Sequence, residues 1–351
     1  MLFFILAMVF SGQNYDLKPV KNLEAVPEDS GQFLQGPASM EVDGRKHVYV
    51  VDWTARIVFH WDQNGKFVNV IGKPGQGPGE FSFSSQGGPQ GYLRAVGDLL
   101  YVFDGGKRAV LVFDQQGKYI ESQPIELLAG RTNAFYALDN GSFVFENQNF
   151  MKQVPTRALS LYGKDGKFVK DMIEMQDATF ERENDGNRVT AIVIKGYSST
   201  MVSGFNPSNQ EFIAGFTGEP NITLLDAKSE KKTKIKLGLI QQDVTKEDKD
   251  EYNELGFIKN NPFFKVKFPE KRSFYDGVIP VGEEGFLLYS VMPHTRRYSG
   301  IYVDRKGTTL GRFRFECGEN GSLQSSNGKI FGIFLDEDDE FAISELVLTK
   351  K

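Results

Sequence analysis

Apolar residues occur along this chain in short runs that are separated by polar turn residues. Residues 48–67, VYVVDWTARIVFHWDQNGKF, contain two such runs, VYVVD and RIVFHW, and a DQNGK turn follows the second run. Short runs rich in Val, Phe, Tyr and Trp, bounded by Gly, Asn and Asp, predict β-strands joined by hairpin turns. The pattern therefore predicts that strands are the main element of the chain.

The same pattern occurs a second time without gaps. Residues 100–119, LYVFDGGKRAVLVFDQQGKY, align with residues 48–67 at an offset of 52, and nine of the 20 aligned residues are identical. Identical pairs at the turns are Asp52 and Asp104, Asp62 and Asp114, and Gly65 and Gly117. A repeat of this length is typical of folds in which each copy forms one small sheet.

Residue identity fades further along the chain, but the order of strands and turns continues. Candidates for the second strand of each unit are HVYVVD, LLYVFD, SFVFEN, EFIAGF, GFLLYSV and KIFGIFL. Each unit also has a short strand before this one and a third strand after it, and in the first five units a hairpin turn and an outer strand follow. Six units of four strands predict an all-β, six-bladed β-propeller with four-stranded antiparallel blades.

The two ends of the predicted propeller are expected to pair with each other. The sixth unit has no outer strand before Lys351, and the strand-like segment 15–20 precedes the first unit. We predict that this N-terminal strand completes the sixth blade, because an unpaired sheet edge would otherwise be exposed. One propeller domain is therefore expected over residues 13–351.

Two long insertions interrupt the predicted propeller, at residues 175–197 and 241–274. The second lies between blades four and five and is predicted to contain a short helix, with Thr245 as its N-cap and Gly256 as its end. Insertions of this length in a compact domain are typical of lids or binding elements. Covering of the propeller mouth is the alternative.

The glycine-rich segment 72–81, GKPGQGPGEF, lies between the predicted outer strand of blade one and the first strand of blade two. It lacks the pattern of a phosphate-binding loop, and Glu80 stands where a dinucleotide-binding pattern requires its third glycine. Glycine permits positive φ angles and proline fixes bends. The segment therefore predicts a bend through which the chain crosses from rim to centre.

Residues 48–81 resemble the NHL-type repeat, and the chain is similar to exported six-bladed propellers of the NHL-type and TolB-like class that are common in Bacteroidetes. The resemblance is strong in the first two blades and depends on strand spacing in the others. It departs from the NHL pattern after Asp52, where the turn is one residue shorter and Ala55 stands at the usual position of Asn. The resemblance implies the fold, and no NHL ligand is transferred.

The charge and composition of the chain argue against some classes of binding partner. The chain has 41 Lys and Arg against 46 Asp and Glu, a net charge of -5. This balance argues against nucleic acid or an anionic membrane as the main partner. The single cysteine, Cys317, permits no intramolecular disulfide.

The apolar residues at the start of the chain indicate export to the periplasm or the medium. Residues 1–12 resemble the apolar core of a signal peptide and are too few to span a bilayer. A basic segment before them is missing, so an upstream start or a buried strand is the alternative. No transmembrane anchor is expected, and no cysteine follows the run to carry a lipid.

Loops between second and third strands open on the same face as the inter-blade crossings, and this face is the predicted binding face. Its candidate binding residues are Trp53, Lys107, Arg108, Tyr252, His294, Arg296 and Arg297. Trp53 could anchor a ligand or pack against a neighbouring insertion. The basic residues of the PHTRRY loop could bind an anion or form a solvated loop.

The sequence favours binding over catalysis. The three histidines are His47, His60 and His294. They are too few for a histidine-rich metal site, although Glu41 or Asp43 with Asn133 could offer oxygen ligands to calcium. We expect an exported module without a cofactor that binds a protein, peptide or glycan. The alternative is a calcium-dependent hydrolase or lyase with its site in the central channel.

Overall fold

The computed structural model describes residues 13–85, 88–126, 130–150, 152, 154–186, 188–336 and 339–351. The predicted signal segment, residues 1–12, lies outside the described residues. Almost all regular structure in the described ranges is β-strand, which confirms the predicted all-β class. In the same ranges, none of the helices has the length and apolar character that a membrane span requires.

Short strands follow one another along the whole chain. The first half contains β1 (Gln13–Asn22), a 3-10 turn (Glu28–Ser30), β2 (Pro37–Val42), β3 (Val48–Asp52), β4 (Ile57–Trp61), β5 (Phe67–Ile71), β6 (Ser84–Ser85), β7 (Gly88–Pro89), β8 (Gly91–Val96), β9 (Leu99–Asp104), β10 (Ala109–Asp114), β11 (Tyr119–Pro124), β12 (Arg131–Ala137), β13 (Phe143–Asn149), β14 (Thr156–Tyr162) and β15 (Phe168–Gln176).

The second half adds the two short helices. It contains β16 (Phe180–Asp185), β17 (Arg188–Lys195), β18 (Met201–Asn206), β19 (Glu211–Phe216), β20 (Asn221–Asp226), β21 (Lys232–Lys236), α1 (Lys246–Asn253), α2 (Gly256–Lys259), β22 (Phe264–Lys267), β23 (Gly277–Val281), β24 (Gly285–Val291), β25 (Arg297–Asp304), β26 (Thr309–Glu316), β27 (Ser322–Ser326), β28 (Lys329–Leu335) and β29 (Phe341–Lys350).

Consecutive strands pair antiparallel to form the blades. Blades one to four are the sheets β2–β5, β8–β11, β12–β15 and β18–β21. Blade five (β23–β26) and blade six (β27–β29) belong to one sheet, in which β1 lies between β26 and β29. Strand β1 is antiparallel to β29 over Tyr15–Asn22 and parallel to β26 over Gln13–Asp16.

The first strands of the blades surround a common centre. Contacts join β2 to β8, β8 to β12, β18 to β23, β23 to β27 and β27 to β2. Blades three and four meet through the Tyr136 hydroxyl on β12, which lies 3.2 Å from Ser203 Oγ on β18. These six strands therefore surround the region that a propeller encloses as its channel.

The repeated aspartates of blades one and two each hold two segments of backbone. Asp104 ends β9, and its carboxylate accepts hydrogen bonds from the backbone N–H groups of Ser82 (2.7 Å), Phe83 (3.0 Å), Gly106 (2.9 Å) and Lys107 (3.1 Å). Asp52 does the same for Gln35, Gly36, Thr54 and Ala55. Each aspartate thus connects the segment that leads into its blade to the turn after its own strand.

The glycine-rich segment lies between β5 and β8 and bends as the sequence predicts. Gly72, Gly75 and Gly79 have φ angles of 72°, 153° and 70°. The bend places Phe81 in the core between blades one and two, stacked on Phe83 with ring centroids 4.8 Å apart. A β-carbon at Gly72 would lie 2.3 Å from the Phe81 ring, so a residue with a side chain would not fit at this position.

Replacing Asp104 with Ala should destabilise the protein more than the same change at Asp114. Asp104→Ala removes a buried acceptor of four amides, and we expect the free energy of unfolding to fall by about 3 kcal/mol. Among the described residues, the Asp114 carboxylate accepts only the amides of Gln116 and Lys118, in an exposed turn. Water can replace it there, so a loss of about 1 kcal/mol or less is expected. Urea denaturation measures both, and equal losses would contradict the role assigned to Asp104.

The buried His60 should make stability depend on pH. Its Nδ1 lies 3.0 Å from Asn69 Oδ1 and its Nε2 lies 2.9 Å from His47 Nδ1. Burial lowers the pKa of His60 below 6.5, so the unfolded chain takes up a proton at a higher pH than the folded chain does. The free energy of unfolding should therefore fall as the pH drops below 6.5 toward the lowered pKa. Urea titrations of His60→Gln should show a flatter pH dependence in this window, and an unchanged slope would count against His60.

Candidate ligand-binding face

The two insertions form one structure on the predicted binding face. Strands β16 and β17 of the first insertion pair antiparallel, and β22 of the second insertion joins them parallel to β17. The parallel register aligns residues 192–195 with residues 264–267. The sequence did not predict this pairing between distant segments.

Helix α1 begins as the sequence predicts. Thr245 Oγ1 accepts a hydrogen bond from the backbone N–H of Asp248 (3.2 Å), and Asp248 Oδ2 accepts one from the backbone N–H of Thr245 (2.8 Å). This reciprocal pair is a capping box. The predicted end is wrong: α1 stops at Asn253, its C-cap Glu254 keeps right-handed helical angles, and Gly256 begins α2. No left-handed residue is needed at that end, so glycine does not mark it.

Arg272 fastens α1 to blade five. Its Nη1 lies 2.9 Å from Asp248 Oδ1 on the helix, and its Nη2 lies 3.4 Å from Asp276 Oδ2 beside β23. The guanidinium also lies over the Tyr197 ring, 4.1 Å from its centroid. Only 11% of the Arg272 side chain is exposed. A charge this buried needs its partners, so this contact fixes the helix relative to the propeller.

Asp276 is the carboxylate at the blade end of this contact. It accepts hydrogen bonds from Ser273 Oγ (2.8 Å) and from the backbone N–H of Val291 (3.0 Å). Burial raises the pKa of Asp276, and the charge of Arg272 opposes that rise. Asp276 therefore has a defined position at the wall of the cavity described next.

A cleft of about 180 Å³ lies where the insertions meet blades four and five. Two tyrosines contribute its aromatic surface: the rings of Tyr197 and Tyr252 meet edge to face, with centroids 5.0 Å apart. Phe268 supports Tyr252 from another side at 5.6 Å. The remaining lining residues are Thr179, Ile194, Lys195, Ser198, Thr200, Thr217, Asp276, Val291 and Pro293. Of the predicted binding residues, Tyr252 is the one that lines this cleft.

The PHTRRY loop docks on helix α1 through carboxylates. Glu251 Oε2 accepts hydrogen bonds from the backbone N–H groups of His294 (3.0 Å) and Thr295 (2.9 Å). The side chain of Arg297 lies 2.6 Å from Glu247 Oε1. His294 Nε2 lies 3.0 Å from Glu319 Oε1. These carboxylates already bind the donor groups of the loop that an anion would need.

Arg296 differs from His294 and Arg297 because it contributes to the loop through its backbone. It has a left-handed φ of 52°, and its N–H donates to the carbonyl of Met292 (2.9 Å). Its own carbonyl accepts from Cys317 (3.2 Å). Arg296 thus shapes the loop, and the structure does not bring the three predicted basic residues together on one ligand.

Trp53, Lys107 and Arg108 lie at the junction of blades one and two. The indole N–H of Trp53 donates to the carbonyl of Gly91 (2.8 Å), and its ring meets Tyr92 edge to face at 6.1 Å. Lys107 Nζ donates to the carbonyl of Gly77 (2.8 Å), and Arg108 is exposed. Trp53 therefore packs against blade two, and not against a neighbouring insertion as the alternative from the sequence had it.

A second polar cluster lies on the first strands, and the sequence indicated only Glu41 and Asn133 of it, as possible calcium ligands. Glu41 on β2 accepts from Arg94 Nη1 (2.8 Å) on β8 and from Ser326 Oγ (2.7 Å) on β27. Arg94 in turn lies over the Tyr136 ring, 4.8 Å from its centroid. Burial raises the pKa of Glu41, and Arg94 opposes that rise.

The cluster continues into blades three and four. Glu146 on β13 contacts Ser203 Oγ on β18 and lies 3.2 Å from Arg157 Nη1 on β14. Burial raises the pKa of Glu146, with Arg157 acting against it. Charged residues inside otherwise apolar strand runs, such as SMEV, YLRAV and FVFEN, were the signal in the sequence that could have revealed this cluster.

The oxygen ligands proposed for calcium are not grouped. Glu41 is engaged by Arg94, whereas Asp43 Oδ1 accepts from the backbone N–H groups of Arg45 (2.9 Å) and His47 (2.8 Å) in a turn. Across the residues that the structure describes, no set of three His, Cys, Asp or Glu side chains is placed to hold a metal ion.

Comparisons with known proteins agree on the fold. The family model of DUF5128, described as a six-bladed β-propeller, matches residues 34–184. A crystal structure of a DUF4221 family member from Bacteroides vulgatus is similar at 12% identity and a TM-score of 0.59, over 97% of this chain and 100% of that one.

A second solved structure gives the same result. A Bacteroides fragilis protein that is predicted to be exported is similar at 11% identity and a TM-score of 0.56, over 96% of this chain and 99% of that one. Comparison with curated proteins gives no match. At these identities the likeness concerns the fold alone, and with the four-stranded sheets it supports one conclusion: the chain is a six-bladed β-propeller.

Proposed function

We propose that this chain is an exported binding module that takes its ligand on the face formed by the insertions. The observation that carries this proposal is the cleft of about 180 Å³, whose walls come from the first insertion, helix α1 and the blades. Export is supported by the apolar residues 1–12 and by the Bacteroides fragilis protein of the same fold. The ligand classes considered are protein, peptide and glycan.

The chemistry of the cleft favours a glycan. Tyr252 supplies apolar ring surface next to hydroxyl groups of Thr179, Ser198 and Thr200. Tyr197 supports it from below as a buried ring that is 4% exposed. Amphipathic aromatic rings suit a ligand that has both C–H and hydroxyl surfaces, as a sugar ring does. The volume is below the range of about 300–1,000 Å³ typical of sites for drug-sized ligands. The cleft therefore fits one small group at the end of a larger ligand.

Removing the Tyr252 ring should abolish most of the binding. On an array of purified bacterial and host glycans, Tyr252→Ala should weaken binding by at least about tenfold, or about 1.4 kcal/mol. Tyr252→Phe keeps the ring and should lose less than about threefold, or about 0.7 kcal/mol. Tyr302→Ala is the matched control, because Tyr302 is half-buried on β25 and contacts Tyr15 instead of the cleft.

Two results would contradict this proposal. Unchanged glycan binding by Tyr252→Ala would exclude the cleft as the site. Binding of immobilised peptides but no glycan, with the same loss in Tyr252→Ala, would keep the cleft and replace the ligand class. Thermal unfolding of each variant checks that the loss does not come from an unfolded protein.

The cleft should depend on Arg272. Replacing Arg272 with Met leaves Asp248 and Asp276 without their buried cation, which costs about 3–5 kcal/mol. We expect amide hydrogen exchange of residues 246–253 to accelerate, because the helix loses its attachment. Lys170→Met is the control, because its contact with Glu230 is exposed and involves no residue of the helix, and such a contact contributes about 0–1 kcal/mol. Equal exchange of the helix in both variants would contradict the attachment.

A further inference from the structure

Buried nitrogen atoms without a partner gather on neighbouring strands of blades two and three. They are Arg94 Nε, Arg131 Nε, Asn133 Nδ2, Asn147 Nδ2 and Arg157 Nε, and none of them has a hydrogen-bond partner among the described residues. All five are donors. A buried donor left unsatisfied costs about 1–3 kcal/mol, and native proteins contain few such groups. Five of them in one region need acceptors that the described chain does not supply.

The carboxylates of this region are already engaged. Glu41 pairs with Arg94, and Glu146 pairs with Arg157. Asp177 accepts from Thr179 Oγ1 (2.6 Å) and lies 3.4 Å from Arg157 Nη2. The chain's own acceptors therefore face other donors.

Arg131 is the cation of this cluster that lacks a counter-charge. Its guanidinium makes no hydrogen bond or ion pair with any residue in the described ranges, whereas Arg94 and Arg157 each contact a carboxylate. Arg131 begins β12, at the same end of the strand as Asn133. The cluster thus contains three arginines and three carboxylates, and Arg131 is the arginine that none of these carboxylates contacts.

Two of the arginines, Arg131 and Arg157, act on one buried hydroxyl. Tyr92 donates to the carbonyl of Thr132 (3.0 Å), and Arg131, Glu146 and Arg157 all act on the pKa of Tyr92, which burial raises. The side chains of Arg94 and Arg157 are 18% and 17% exposed. Both side chains are therefore partly exposed, although their Nε atoms are buried.

We propose that Arg131, Asn133 and the neighbouring donors form an anion site in the central channel, distinct from the insertion cleft. The site would take a small oxyanion, either a carboxylate or a phosphate group, because both supply several acceptor oxygens to guanidinium and amide donors. Arg131 supplies the charge, and the asparagine amides supply neutral hydrogen bonds.

Calorimetric titration of the full chain with acetate, succinate, inorganic phosphate and sulfate tests this site. At constant ionic strength set with potassium chloride, at least one oxyanion should bind saturably. Arg131→Gln should weaken that binding at least tenfold, and Arg108→Gln, a change at an exposed arginine of blade two, should not alter it. Binding of acetate or succinate assigns a carboxylate ligand, and binding of phosphate or sulfate assigns a tetrahedral oxyanion.

Stability measurements distinguish loss of the anion site from loss of folding. Arg131 has no described partner to lose, so Arg131→Gln should keep the thermal midpoint of the free protein and lose the rise that the bound anion produces. If that variant does not fold, Asn133→Ala replaces it in the titration, with the same expected loss of affinity. No saturable binding of any of the four anions, or equal binding by the variant and the wild type, would overturn the proposal and assign the free donors to water.

Discussion

Arg272 is the contact on which the arrangement of the candidate face depends. A guanidinium that is 11% exposed must keep its carboxylates, because leaving a buried charge unpaired costs several kcal/mol. Its two carboxylates belong to different units, Asp248 to helix α1 and Asp276 to the start of blade five. Its position over Tyr197 adds the first insertion to the same contact. One buried charge thereby sets the distance between the helix and the propeller, and with it the width of the cleft.

Buried charges also need partners at the centre of the molecule, where the outcome differs from that at the cleft. Glu41 and Arg94 join blades one and two, and Glu146 joins blade three to Ser203 of blade four. These contacts hold neighbouring blades together by specific polar geometry in addition to apolar packing. At the cleft the buried charges are matched, whereas in the channel Arg131 has no partner among the described residues. The paired charges at the cleft hold the structure together, whereas Arg131 is free to receive a ligand.

The blades could be predicted from the sequence because their signals are local. The alternation of strand and turn residues gave β19, β24 and β28 with the bounds that the structure has, and Asp248 three residues after Thr245 gave the start of α1. Contacts between distant segments could not be found in the same way. The parallel pairing of β17 with β22 and the pairing of Arg297 with Glu247 each join segments that only the folded chain brings together. The candidate site was therefore predicted only as a face, which included Tyr252 of the second insertion but not the residues around it.

The most direct measurement of where this protein binds its ligand is amide hydrogen exchange with and without a glycan selected on the array. The proposed cleft predicts slower exchange in residues 195–200 and in residues 291–293, which line it, and unchanged exchange in the turn 104–108 between blades one and two. Protection confined to that turn, or to the first strands around the channel, would contradict the assignment of the insertion cleft as the binding site.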